Sequence, residues 1–159
     1  SGMSILLGWA KPVPINPSRF KKYRPGLFWV SIAGPGMNFL LALVSALVFS
    51  AVQLWVPQGF YLKEPLVAMS IVSVSTNYAL GIFNLLPLPP LDGSKIIESA
   101  LSYNAMRKYQ SLEQYATWIF LGLLLTGALT FLSYPIRFLT DLTLYGSAVL
   151  FHLPEVFTK

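Results

Sequence analysis

Two long runs without a charged residue constrain this chain more than anything else in it. The first extends from Leu27 to Val56 and the second from Pro65 to Leu91. About twenty consecutive apolar residues carry a helix through a bilayer core. With no water there, only a helix or a closed barrel satisfies the backbone. The sequence therefore predicts an all-α integral membrane protein, with 1–159 as a single membrane domain. Composition agrees, since 11% of the residues are charged against about 25% in soluble domains. The formal net charge of +5 could suggest nucleic acid, but its placement argues against that. Lys11, Arg19, Lys21, Lys22 and Arg24 stand just ahead of the first run with no acid among them. Such a flank is cytoplasmic and lies among lipid headgroups, so the lipid bilayer is the expected partner and nucleic acid is not.

The second run carries a polar seam. Ser70, Ser73, Asn77, Gly81 and Asn84 recur at spacings of three and four, which is one helical face, while Ile71, Val72, Val74, Leu80 and Ile82 occupy the others. A polar face on a membrane helix turns toward the bundle interior. The seam leads to Asn84 and then to Leu85-Leu86-Pro87-Leu88-Pro89-Pro90-Leu91-Asp92-Gly93. Each proline removes a backbone donor and clashes with the preceding turn, so the helix must stop. Asp92, on broken backbone at the edge of an apolar span, is a candidate functional carboxylate. It is equally a favoured N-cap for a helix beginning near Ser94. The first run has its own stripe, with Gly34, Asn38, Ala42, Ala46 and Ser50 every four residues. Small side chains there let another helix approach closely, and Asn38 can hydrogen-bond across the contact. Gly34-Pro35-Gly36 is expected to kink or start the helix.

The remaining segments are shorter. Ser1-Gly2-Met3 reads as a tag remnant ahead of a starting Met. Residues 4–26 form a basic segment in which Pro12, Pro14 and Pro17 alternate with Val13 and Ile15, which favours extended or polyproline backbone or a sheet edge. The transmembrane spans are expected at 27–56, 65–91 and 115–132, the last broken off by Pro135. Residues 94–114, the most charged part of the chain, predict one or two amphipathic helices at the membrane surface. The stretch 137–153 places Phe138, Leu142, Tyr145, Val149 and Leu153 on one face, as an interfacial helix or else a fourth span. Eight of the eleven Lys and Arg residues fall in 11–24 and 92–114. About three spans with a cytoplasmic N-terminal flank satisfy that bias and put Asp92 on the cytoplasmic side.

Three segments together resemble one family. Gly34-Pro35-Gly36-Met37-Asn38 resembles the GPxxN element of site-2 proteases, the intramembrane zinc metalloproteases. Asn84 to Gly93 resembles their NxxPxPPLDG element. Gly8-Trp9-Ala10-Lys11-Pro12-Val13-Pro14-Ile15-Asn16 is similar to a segment of the compact bacterial members that lack a PDZ domain. The resemblance implies that Asp92 is the third protein ligand of a catalytic zinc. It implies that Asn38 and Asn84 line the site and position the substrate backbone or the polarised carbonyl. It further implies a transmembrane protein substrate, residence in a bacterial inner membrane, and a proline-rich edge able to pair with an unwound substrate strand.

One part of the pattern is missing. The family takes its other two zinc ligands and its general base from an HExxH helix, whereas this chain has one histidine, His152, and no cysteine. A catalytic zinc needs three protein ligands and an open position. The chain therefore reads as the C-terminal portion of such a protease, inactive alone, whose HExxH helix lies upstream and sits on the small-residue stripe of the first run. The alternative is an inactive relative that serves as a membrane scaffold or substrate-binding module.

Overall fold

The computed structural model describes residues 23–153, and every regular element among them is helical. Expectations for 1–22, the proline-rich segment included, lie outside the described residues. The first helix, α1 (Tyr23–Trp55), begins earlier than the sequence suggests, so 23–26 form its first turn rather than the end of an extended segment. Pro25 is tolerated there because a first-turn N–H has no intrahelical acceptor. The helix runs on through Pro35, whose side chain is buried. Trp29 and Trp55 stand 68% and 72% exposed near its two ends. Twenty-six residues separate them, ~39 Å at the helical rise, which suits aromatic anchors at two membrane interfaces.

A tight turn returns the chain into α2 (Lys63–Asn84). Lys63 is 3% exposed and donates to Val56 O at 2.8 Å and Gln53 O at 3.3 Å. Its ammonium thus closes the carbonyl end of α1, where a cation also meets the negative end of the helix dipole. Lys63→Met is expected to cost about 1.5–3 kcal/mol, the range for hydrogen bonds to a charged group. A thermal unfolding curve of detergent-solubilised protein measures it.

The two helices pack antiparallel along their small and polar faces. Ser45 Oγ and Ser73 Oγ lie 2.7 Å apart, Asn77 Nδ2 donates to Ser73 O at 2.9 Å, and the Phe39 and Tyr78 rings meet at 6.0 Å. A Cβ on Gly81 would stand 2.6 Å from Phe39 Cε1. The polar seam of α2 therefore faces α1, as a buried seam should. Ala42, Ala46, Phe49, Val74, Tyr78 and Leu144 form the core.

Two short helices follow, α3 (Asp92–Ala100) and α4 (Tyr103–Gln110). The single helix expected over 115–132 is instead two pieces. The helix α5 (Ala116–Leu125) stops at Gly127, whose φ of 67° glycine adopts without strain. A 3-10 turn (Ala128–Leu132) then leads into α6 (Ser133–Leu150), bent by 77° from α5. Pro135, expected to end a span, lies in the first turn of α6, where its missing N–H costs nothing.

In α6 the apolar face noted in the sequence is turned away from the bundle, and a face of small and polar residues is covered. Phe138, Leu142, Tyr145 and Val149 are exposed, while Thr140, Leu144, Ser147 and Ala148 are buried. Ser50 Oγ donates to Ser147 Oγ at 2.9 Å, and Tyr78 and Thr143 hydroxyls meet at 2.6 Å. Bulky apolar side chains are as well placed against lipid as against protein, whereas small ones admit a neighbouring backbone. The same packing fills most of the α1 stripe. Ala42, Ala46 and Ser50 are covered within this chain, so that part is no seat for a further helix. By length and composition, α1 and α2 could cross a membrane, with a third crossing if the bent pair α5–α6 counts as one span.

Candidate functional site

The break after α2 builds the site. Past Asn84 the backbone closes a series of turns, with Leu85 N–H on Gly81 O at 3.2 Å, Leu86 N–H on Phe83 O at 3.1 Å and Leu91 N–H on Leu88 O at 2.8 Å. The irregular segment thus pairs much of its own polarity. Gly93 packs directly on the carbonyl oxygens of Leu85 and Leu86, leaving no space for a Cβ. That contact folds the start of α3 back under the end of α2.

Asp92 is the first residue of α3, with Leu91 as the N-cap and Ser94 Oγ donating to Leu91 O at 2.7 Å. Its carboxylate benefits from the helix N-terminus but closes no cap hydrogen bond among the described residues. It turns toward α1 instead. Asp92 Oδ2 stands 3.1 Å from where a Cβ on Gly34 would sit. On its other side Lys95 Nζ lies 4.0 Å from Oδ1. Both side chains are about a third exposed, 35% for Asp92 and 38% for Lys95, so water screens this pair.

The two asparagines lie at the same end of the bundle. Asn38 is one turn beyond Gly34 on α1. Asn84 ends α2, and continuing the antiparallel register set by Phe39 and Gly81 brings it level with Gly36. Both are half-buried. No hydrogen bond joins Asn38, Asn84 and Asp92, and the two amides have no partner among the described residues. Asn38, Asn84 and Asp92 thus share one end of the bundle at part-buried positions, and amides and a carboxylate are groups that can hydrogen-bond an extended peptide backbone.

A tyrosine fastens the turn from outside. Tyr109 of α4 donates to Pro87 O at 2.7 Å. Burial pushes its phenol above the usual value of 10.0, and the nearby Glu98 carboxylate adds to the shift. A raised pKa favours the neutral phenol in the folded state, so this contribution is intact below pH 10 and fades as pH climbs through the folded value. Tyr109→Phe is expected to lower stability at neutral pH by about 0.5 kcal/mol and to flatten that alkaline decline, read from melting temperatures across an alkaline pH series.

Residues 56–128 match the family described as Peptidase family M50. The chain is also 37% identical over 135 residues to "Putative zinc metalloprotease YwhC" of Bacillus subtilis (strain 168), covering 80% of this chain and 59% of that relative. The family match thus takes in somewhat under half of this chain, and the chain spans 59% of the length of that relative. No solved structure matches the chain.

Of the ligands that the zinc in that relative's description would need, the described residues offer Asp92 as one candidate and no complete site. Among the described residues no group of three or more His, Cys, Asp or Glu is placed to hold a metal. His152 closes the far end of α6 in a left-handed conformation (φ 57°), with its own N–H on Val149 O and Leu153 N–H on Ala148 O. That is a helix stop. Moreover, α6 meets α1 at Ser50, sixteen residues past Gly34 and ~24 Å along the axis. Asp92 alone does not make a zinc centre.

Three neighbours of Asp92 and its turn were not connected to it by the sequence alone. Lys95 was legible as a cation three residues after Asp92 on a helix. Gly34 was read as a kink and as part of the small-residue stripe, but its contact with Asp92 is made across two helices and had no signal in the sequence. Tyr109 had no sequence signal.

Proposed function

We propose that the chain is part of an intramembrane zinc metalloprotease that cleaves transmembrane protein substrates. One observation carries the reading: the proline-broken end of α2 holds Asp92 against Gly34 of α1, with Asn38 and Asn84 at the same end. In this reading Asp92 is the third zinc ligand and supplies one negative charge to the metal. The remaining ligands and the carboxylate general base belong to an HExxH helix outside the described residues. When bound, zinc supplies Lewis-acid activation of water for peptide hydrolysis. The amides of Asn38 and Asn84 donate to carbonyl oxygens of an unwound substrate strand and fix it beside that carboxylate. The bilayer is the working environment, in a bacterial inner membrane, with the N-terminal flank and Asp92 on the cytoplasmic side.

The single histidine of this sequence favours a second reading, an inactive relative that binds membrane segments as a scaffold. Metal analysis and a cleavage assay on the full-length protein in proteoliposomes separate the two. About one zinc per chain with cleavage of a model transmembrane substrate supports the protease. Substrate binding with neither zinc nor cleavage supports the scaffold.

A further inference from the structure

The turn of α1 that receives Asp92 also holds a polar group without a partner. Ser31 is 2% exposed, and its Oγ makes no hydrogen bond among the described residues. The backbone adds a second acceptor, because Pro35 has no N–H to give to the carbonyl of Ser31 four residues earlier. Pro35 is itself buried. Ser31 and Gly34 are three residues apart, which places them as neighbours ~5–6 Å apart on the helix surface. Gly34 brings no side chain, and Asp92 Oδ2 fills the margin of the space a side chain would take. Two oxygens of Ser31 thus lie one helical step from the exposed glycine that Asp92 Oδ2 approaches, with a single hydroxyl hydrogen among the three. Buried hydroxyls are almost always paired, and an exception marks a bound water or partner. Alanine would fit the same position without the desolvation cost.

We propose that Ser31 is a positioning residue for Asp92, acting through an ordered water in the space that Gly34 leaves open. The Ser31 hydroxyl donates to this water, which donates in turn to the carbonyl freed by Pro35 and to the Asp92 carboxylate. Three polar partners are what a buried water ordinarily has. The water fixes the rotamer of Asp92 and keeps one carboxylate oxygen turned to α1. The proposal rests on Asp92 being the functional carboxylate of the protease.

The test uses full-length protein with Ser31→Ala and Gly34→Ala, and with Asp92→Asn as the reference. The Asp92 carboxylate stretch is assigned by infrared difference between wild type and Asp92→Asn. Proteolysis rate and melting temperature are measured alongside. Ser31→Ala is expected to shift the Asp92 band, leave the melting temperature unchanged or higher, and slow cleavage about 10- to 100-fold, as outer partners of a metal ligand do. Gly34→Ala, whose Cβ would crowd Oδ2, is expected to shift the same band. A Ser31→Ala protein with wild-type band and rate overturns the proposal, as does a lowered melting temperature with no band shift. Normal cleavage by Asp92→Asn would instead sink the protease reading, and the band in Ser31→Ala would still decide the water.

Discussion

Asp92→Ala in the full-length protein is expected to abolish zinc retention and proteolysis together while leaving the helical bundle folded. The argument turns on how little Asp92 does for stability. Its carboxylate accepts no hydrogen bond among the described residues, and its ion pair with Lys95, 4.0 Å long, is open to water. What the fold loses is chiefly the charge at the N-terminus of α3, about 0.3–1 kcal/mol. Removing a direct metal ligand, by contrast, exceeds the ~10–100-fold effect of removing an outer partner. Metal content by elemental analysis, cleavage rate and melting temperature are the three measurements. Undiminished proteolysis by the variant would remove Asp92 from the mechanism.

Gly93→Ala is expected to do the reverse, damaging structure first and activity as a consequence. A methyl at this position collides with the carbonyl oxygens of both Leu85 and Leu86. Neither is the free end of a flexible side chain, and both belong to turns whose N–H groups are engaged at Leu85 and Leu86. Relief requires the start of α3 to move off the end of α2. Overpacking of this kind costs about 1–3 kcal/mol in a protein core, and backbone atoms yield less readily than side chains. We expect a loss near the top of that range in melting experiments, with zinc content falling in step. Gly81→Ala provides the contrast, since its Cβ would meet the edge of the Phe39 ring, which can rotate away. A Gly93→Ala protein as stable as wild type would show that the turn is looser than described.

Much of the bundle was legible because membrane helices announce themselves by length and absence of charge. The seam from Ser70 to Asn84 was readable for a related reason: polar groups in an apolar medium must find one another. The end of α2 followed from proline chemistry alone. What could not be read was orientation among equally apolar surfaces. The sequence set Phe138 and Leu142 on one apolar face of α6 without showing what that face meets, and in lipid size and hydrophobicity do not select the buried side. Close approach does, and it favoured Ser147 and Ala148. The break at Gly127 was hidden because glycine is common in membrane helices, and only its left-handed φ reveals the stop. At the site, Asp92, Asn38 and Asn84 were named from the chain itself, whereas the space left by Gly34 and the orphaned hydroxyl of Ser31 arise only when two helices are laid together.

The packing of α6 through its smallest residues reshapes where this protein can tolerate change. A substitution scan of that helix would find its bulkiest positions forgiving, with Phe138 or Leu142 exchanging for other oily residues at little cost. Intolerance would gather at the smallest positions, where even one added carbon at Ala148 wedges two helices apart. For drift in sequence over time, the quiet letters of α6 are the ones under guard.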